Sequence, residues 1–483
     1  MLLSAIFLTL PVAVALIWLL PRADSARRVA LLAALLQLAL GLTAVLLFDA
    51  SDSGFQFVER HAWMPGIGVQ YLVGVDGLSV AFLPAAGLLF LGVILASWNS
   101  VHTLPRLYYS LLLLLETASL GVFCALDTIL FFLFWELTLV PLYFLVSLWG
   151  IGPNRRHAAT KYTLVMLSGG AVLLFGFVVL AFHGDTSLTF DLPTLLQASL
   201  PDDVQMLVFL LLLIGFGVKA PLFPLHTWLP LIAMEGPAAV AALLTGLKLG
   251  VYGLIRFAVP LAPSAAQELQ WLLIGLGGVS ILFGAVAALA QTNLRRMLGY
   301  ASLSHVGLVV LGIATFSLPG IQGAVFQLLN FTLAAGGLFL LASHLHHRTG
   351  SSDIAGLGGA ARTMPLLASL FLFFGLAGMG IPGTSGFPAE LLILVATFNT
   401  HAGAGLAALG GVVLGAACFL ILYRRVFFGP VLRPEVAQAE DLVPRERWLA
   451  LLFAVLLLVF GFFPSLLLDF IRPAAEAWVA RLG

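Results

Sequence analysis

Apolar runs of roughly twenty residues recur along the whole of this chain, each nearly free of charge and each closed by Arg, Asp, Pro or Gly. A helix of that length spans a hydrocarbon core of ~30 Å. Fourteen such spans are read, near 2–20, 29–48, 77–97, 107–125, 128–148, 159–182, 204–229, 238–259, 268–290, 297–316, 320–345, 364–398, 402–428 and 447–469. The seventh and twelfth are interrupted. With 61% apolar and only 9% charged residues, a soluble domain is excluded and an all-α polytopic membrane protein is expected. Function must then lie in the few polar groups within the bilayer. The zero net charge leaves no footprint for nucleic acid. Cys124 and Cys418 are too far apart for iron–sulfur or zinc spacing, and no nucleotide-binding glycine loop occurs between a strand and a helix. No cofactor and no metal is expected in this chain. The first run has neither a basic start nor a small-residue cleavage site and reads as a retained helix.

Charge orients the spans. If loops after odd-numbered helices face the cytoplasm, they hold Arg22, Arg27, Arg28, Arg106, Arg155, Arg156, Lys161, Arg295, Arg296, Arg348, Arg362, Arg424, Arg425, Arg433, Arg445 and Arg447, which is 16 of the 22 basic residues. The positive-inside rule then puts both termini on the non-cytoplasmic side. The opposite loops are acidic, as at Asp185, Asp191, Asp202 and Asp203.

The seventh span carries Lys219 into Pro221, Pro224 and Pro230. Proline removes a backbone donor and clashes with the preceding turn, so this helix breaks within or near the membrane. A second break, Gly380-Ile381-Pro382-Gly383, lies five helices later. Two broken helices in matching positions point to inverted repeats. The expected parts are 1–103 (helices 1–3), 104–262 (first repeat, helices 4–8), 263–430 (second repeat, helices 9–13), and 431–483 (a cytoplasmic loop, helix 14 and a short tail after Pro473).

Ionisable groups at membrane depth are functional-site hypotheses by default. Glu136 lies ~12 Å into its helix and needs a cation or a proton, while Lys248 lies ~15 Å into the eighth helix, near the midplane. Lys219 is a second candidate partner for the carboxylate. A Glu–Lys pair whose lysine releases its proton makes a relay, because burial disfavours the ammonium and a carboxylate favours it; a static ion pair that only fixes packing is the other reading. Lys219 also has a bland alternative, snorkelling from a helix end. Glu116 either takes up protons or pairs with a loop arginine. His226 either shuttles protons or caps carbonyls freed by the break. Glu390 follows Pro388 at a half-helix start, where the dipole alone stabilises an anion. Asp127 reads as an N-cap and Lys161 as an interfacial anchor, and His305 is placed with them near a membrane face. His344, His346 and His347 read as helix-end residues.

In combination, Leu72–Val80 (LVGVDGLSV), Phe134-Trp135-Glu136, Lys219–Pro230 (KAPLFPLHTWLP), Ser302–Gly307 (SLSHVG) and Gly380–Phe387 (GIPGTSGF) resemble the antiporter-like subunits of respiratory complex I, most closely the M-type or chain 4 branch. The resemblance covers nearly the whole chain. It implies about fourteen transmembrane helices with two inverted five-helix repeats, an input pair of Glu136 and Lys219, a central relay lysine at Lys248 and a terminal group at Glu390. It further implies a non-redox, proton-translocating subunit of an NADH (or related donor):quinone oxidoreductase, set in a bacterial inner or thylakoid-type membrane beside other membrane-arm subunits and lipid, without direct NADH binding. A subunit of a multi-subunit cation/proton antiporter and the membrane arm of a hydrogenase or CO2-hydrating complex are the alternatives. Two departures bear on the relay. Asn330 stands where the family commonly has a histidine, and an amide cannot change charge. The stretch from Pro237 to Lys248 is a residue or two shorter than in many relatives, which turns Lys248 by ~100° per residue unless the helix start shifts.

Overall fold

The computed structural model describes residues 1–22, 25–183 and 188–482, so Asp185 lies outside the described residues. The chain forms α1 (Leu2–Leu19), α2 (Ser25–Leu47), strands β1 (Gln56–Met64) and β2 (Val69–Val75), α3 (Phe82–Ala96), α4 (Pro105–Cys124), α5 (Thr128–Leu137), α6 (Leu139–Trp149), α7 (Arg155–Phe182), α8 (Leu192–Leu195) and α9 (Asp202–Lys219). Next come α10 (Leu229–Glu235), α11 (Val240–Gly246), α12 (Leu249–Gly253), one turn of π-helix (Leu254–Ala258), α13 (Val259–Leu261), α14 (Pro263–Glu268), α15 (Gln270–Leu289), α16 (Leu294–Ala314) and α17 (Leu318–Thr349). α18 (Pro365–Gly378), α19 (Gly386–Thr400), α20 (Ala402–Phe427), α21 (Pro434–Ala437), α22 (Pro444–Phe462) and α23 (Ser465–Ala480) follow. Among the described residues ten helices are long and apolar enough to cross a membrane, and α22 with α23, bent by 67°, makes an eleventh if taken as one span.

The fold is mostly helical but not wholly so. β1 and β2 pair antiparallel in the segment between the second and third spans. Glu59 on β1 caps the start of α1, accepting from the Leu3 amide at 2.9 Å. The expected short tail is instead the second arm of the bend. Pro464 follows the end of α22 and turns the chain, after which Leu467, Ile471, Ala474, Ala475 and Trp478 form a helical stripe that buries α23 despite Pro473.

Both expected breaks are present. Between α9 and α10 the backbone groups freed by the prolines find side chains: the Trp228 indole donates to the Val218 carbonyl at 2.9 Å, and the Phe223 amide donates to Ser280 Oγ at 3.0 Å. Between α18 and α19 the chain turns at Gly380 and Gly383, whose φ of +65° and +92° few other residues adopt.

Two spans read as continuous differ from each other. The helix over 128–148 runs on through Thr138, whose φ of −65° and ψ of −23° stay helical, so that Thr128–Trp149 is one apolar helix of 22 residues despite the donor missing at Pro141. The helix over 238–259 stops at Gly246, and Lys248 takes a left-handed φ of +44°, a conformation that costs about 1–3 kcal/mol in a non-glycine residue. The carbonyl of Gly246 is satisfied from another helix, by the Thr332 hydroxyl at 3.1 Å.

Close approach fixes the frame. A Cβ on Gly250 would sit 2.2 Å from the Ala220 nitrogen, so only glycine lets α12 rest on the backbone at the end of α9. Gly169 meets Val218 in the same way and seats α7 against α9. α17 runs through the middle, packed against α3, α11, α16, α18, α19 and the bent pair.

Candidate functional site

The end of α9 and the break in α11–α12 bring two lysines to one place. Lys219 and Lys248 line a single cavity of about 40 Å³ with Ser119, Thr138, Tyr162 and Trp228, the remaining wall being leucine. Both are buried, 9% and 4% exposed, so neither ammonium reaches bulk water. The snorkelling reading of Lys219 is therefore overturned. Its Nζ donates to the Trp135 carbonyl and to Thr138 Oγ1, both at 2.8 Å, and lies 3.9 Å from the centroid of the Trp135 ring. The turn from Trp135 to Thr138, just ahead of Pro141, thus accepts a side chain from α9. Lys248 contacts the Ser302 hydroxyl on α16.

Glu136 sits on the same turn as Trp135 and Thr138 but points elsewhere. It is packed against α7, where a Cβ on Gly170 would fall 2.0 Å from its Oε1, and neither carboxylate oxygen has a hydrogen-bond partner among the described residues. No ion pair joins Glu136 to Lys219, although the two charges remain within electrostatic reach. The static-strut reading fails for this pair, since there is no strut. Glu116, midway along α4 and fully buried, has no partner on either oxygen either, so pairing with a loop arginine is also excluded among the described residues. Glu116 does not line the lysine cavity, although its neighbours Leu115 and Ser119 do.

His226 is not brought to this cavity. Its ring stacks on Phe223 at 5.7 Å and meets Phe283 edge-on at 5.1 Å, and its buried Nδ1 has no partner. Among the described residues it caps no freed carbonyl; Trp228 does that work nearby.

From Lys248 the polar groups continue through α16 and α17. His305 is misplaced by the sequence reading: it lies midway along α16, one turn beyond Ser302, and not near a membrane face. Its ring stacks parallel on Phe331 at 4.8 Å, with Lys248 Nζ 6.0 Å from the same ring. His305 and Glu390 line a second cavity of about 20 Å³ with Ser304 and Met379. Glu390, buried one turn into α19, also terminates a directional chain. Ser385 Oγ donates to Asn330 Oδ1 (2.7 Å), Asn330 Nδ2 to Gln327 Oε1 (3.3 Å), and Gln327 Nε2 to Glu390 Oε1 (3.2 Å). Sequence reasoning did not assign roles to Gln327, Ser385 and Ser302; the two serines lie within the SLSHVG and GIPGTSGF stretches, and Gln327 is a polar residue one turn from Asn330. Asp127 is the expected N-cap, accepting from Ile129 and Leu130. His344 is more than a helix-end residue: it is buried and meets Glu446 at 3.2 Å, a carboxylate that Arg348 also holds at 2.5 Å.

Comparison with known proteins places the chain in a family. The family described as NADH:quinone oxidoreductase/Mrp antiporter, TM, matches residues 125–415. NAD(P)H-quinone oxidoreductase chain 4 1 of Synechococcus elongatus is 41% identical over 427 residues, 87% of this chain and 80% of that protein. NADH-quinone oxidoreductase subunit M of Rhodobacter capsulatus is 36% identical over 467 residues, 94% of this chain and 90% of that one. Among solved structures, a chain of respiratory complex I from Thermus thermophilus superposes with a TM-score of 0.92 at 34% identity over the full length of both chains. A chain of the Mrp complex from Dietzia sp. shares the fold, with a TM-score of 0.86 at 23% identity over both full lengths. With its buried lysines on broken helices and relatives that match most of its length, this chain belongs to the NADH:quinone oxidoreductase/Mrp antiporter family of membrane subunits, in the subunit M or chain 4 branch.

Proposed function

We propose that this chain is a proton-translocating, non-redox membrane subunit of an NADH (or related donor):quinone oxidoreductase. One observation carries the reading: two lysines from two broken helices share one buried cavity, and neither is ion-paired among the described residues. A buried ammonium without a counter-ion is costly, so the cheap way to empty such a site is to pass its proton on. Lys219 receives charge control from Glu136. With the carboxylate turned toward α7 the ammonium is less stabilised and its proton moves to Lys248; with the carboxylate close, Lys219 reloads. From Lys248 the proton crosses past Ser302 to His305 and then to Glu390, which releases it. In this scheme His305 supplies the charge-changing step that Asn330 cannot, and the Ser385–Asn330–Gln327 chain holds Glu390 in place.

Fourteen crossings follow if the ten long helices and the bent pair are joined by α3, by α9 with α10, and by α18 with α19, each of the last two pairs forming one broken span. Helices 4–8 and 9–13, residues 104–262 and 263–430, are then the inverted repeats, with both termini on the non-cytoplasmic side. The partners are the other subunits of a membrane arm. The likeness to the Mrp chain is one of fold and leaves the redox-coupled reading ahead.

The test is acidification of inverted membrane vesicles on adding NADH and a quinone, in wild type and Lys248→Ala. The reading expects acidification to fall at least about tenfold, equivalent to about 1.4 kcal/mol, while electron transfer to an artificial acceptor persists. Unchanged acidification would refute it. Sodium-driven proton exchange without an electron donor would favour the antiporter alternative.

A further inference from the structure

The lysine cavity contains a group that the relay leaves unused. Tyr162 on α7 is 1% exposed, lines the cavity beside Lys219 and Lys248, and its hydroxyl has no hydrogen-bond partner among the described residues. Its ring is held in place, tilted against Trp228 with centroids 5.2 Å apart, and Trp228 is in turn tied to the Val218 carbonyl on α9. Tyr162, Met166, Gly169, Gly170 and Leu173 form the buried stripe of α7, so the residue is fixed by the helix that also packs against Glu136. The other hydroxyls of the cavity are engaged: Ser119 donates to the Leu115 carbonyl at 2.8 Å, and Thr138 accepts from Lys219. A buried phenol without a partner is rare, and the usual remedy is an ordered water. A cavity of about 40 Å³ exceeds the ~10–15 Å³ that one water needs, and a water there would have the phenol and the two lysines as polar partners.

We propose that Tyr162 anchors a water between Lys219 and Lys248 and is thereby a positioning residue for proton transfer between them. The inference rests on the relay reading above and adds to it the element that bridges the two lysines. The Lys219 ammonium gives a proton to the bound water as that water gives one to the Lys248 amine, so the water is regenerated and the Tyr162 hydroxyl keeps its own proton. The phenol acts by holding the water in line, since it can both donate and accept. The remaining wall is apolar and offers no second anchor of this kind.

Tyr162→Phe removes the oxygen and leaves the ring against Trp228. In the assembled complex, a high-resolution cryo-electron microscopy map of the wild type should show a water within hydrogen-bonding distance of the Tyr162 oxygen and of a lysine Nζ, and this density should be absent in Tyr162→Phe. Proton pumping per electron transferred should fall about five- to tenfold in the variant, with assembly unchanged on a native gel. Lys219→Ala, assayed in parallel, separates the two claims. If Lys219→Ala abolishes pumping while Tyr162→Phe pumps normally, or if the wild-type cavity is dry, the relay stands and the role of Tyr162 is refuted. If pumping survives both substitutions, the relay reading itself falls. A Tyr162→Phe variant that fails to assemble would mark the hydroxyl as structural and would also overturn the proposal.

Discussion

A lysine at membrane depth must be held by something, and the two central lysines here are held by neutral groups. Lys219 rests on a carbonyl, a hydroxyl and an indole face; Lys248 rests on one serine. Neutral partners stabilise an ammonium less than a carboxylate does, which keeps its release within reach of a modest change in the surrounding charge. In the proposed relay Glu136 makes that change. Glu136→Gln is expected to leave assembly intact and to slow pumping and coupled quinone reduction together by at least about tenfold, because an amide cannot supply the charge that reloads Lys219. Steady-state turnover with simultaneous pH recording checks this. His305→Ala is expected to interrupt the step to Glu390 with a similar loss, whereas Asn330→Ala, which removes a link in the chain that positions Glu390, is expected to cost less than His305→Ala. The two variants compared in one assay decide which residue carries the connection.

At the scale of elements, proline and glycine were the legible marks. Pro221 with Pro224, and Pro382 between two glycines, gave both broken spans directly, since a missing donor and a positive φ are local properties. The break at Lys248 was not legible. It has no proline, and it exists because Thr332 on a distant helix takes up the freed carbonyl and Gly250 lets α12 press on α9, which are tertiary facts. The same limit misplaced His305, whose depth depends on where α16 begins, and hid the open Glu136–Lys219 arrangement, which depends on side-chain direction around one turn. Gly250→Ala is expected to force α12 off the Lys219–Ala220 backbone and to destabilise the subunit by about 1–3 kcal/mol through overpacking. A fall in the thermal stability of the purified complex, with pumping reduced beyond the loss of assembled protein, would show that this contact sets the lysine geometry.

Across the whole molecule, the β-hairpin segment and the α22–α23 bend tie the outer end of the lysine-bearing helix to the rest of the chain. The Arg256 guanidinium grips Asp76 with both arms, at 2.6 and 2.5 Å, and the Trp478 indole donates to the Ile255 carbonyl at 2.8 Å, both on the π-turn below Lys248. Arg256→Ala would leave Asp76 buried without its partner and is expected to cost about 3–5 kcal/mol, read as a loss of assembled subunit on a native gel. Lys219 joins these scales, for it is held by a broken helix, seated by glycine contacts and aimed into the shared cavity. The most direct measurement is proton pumping recorded alongside quinone reduction in membranes carrying Lys219→Ala, with assembly checked on a native gel. Intact assembly with pumping and coupled turnover falling together is the predicted result. Intact assembly with both activities unchanged would mean that Lys219 is structural, and the relay would lose its central residue.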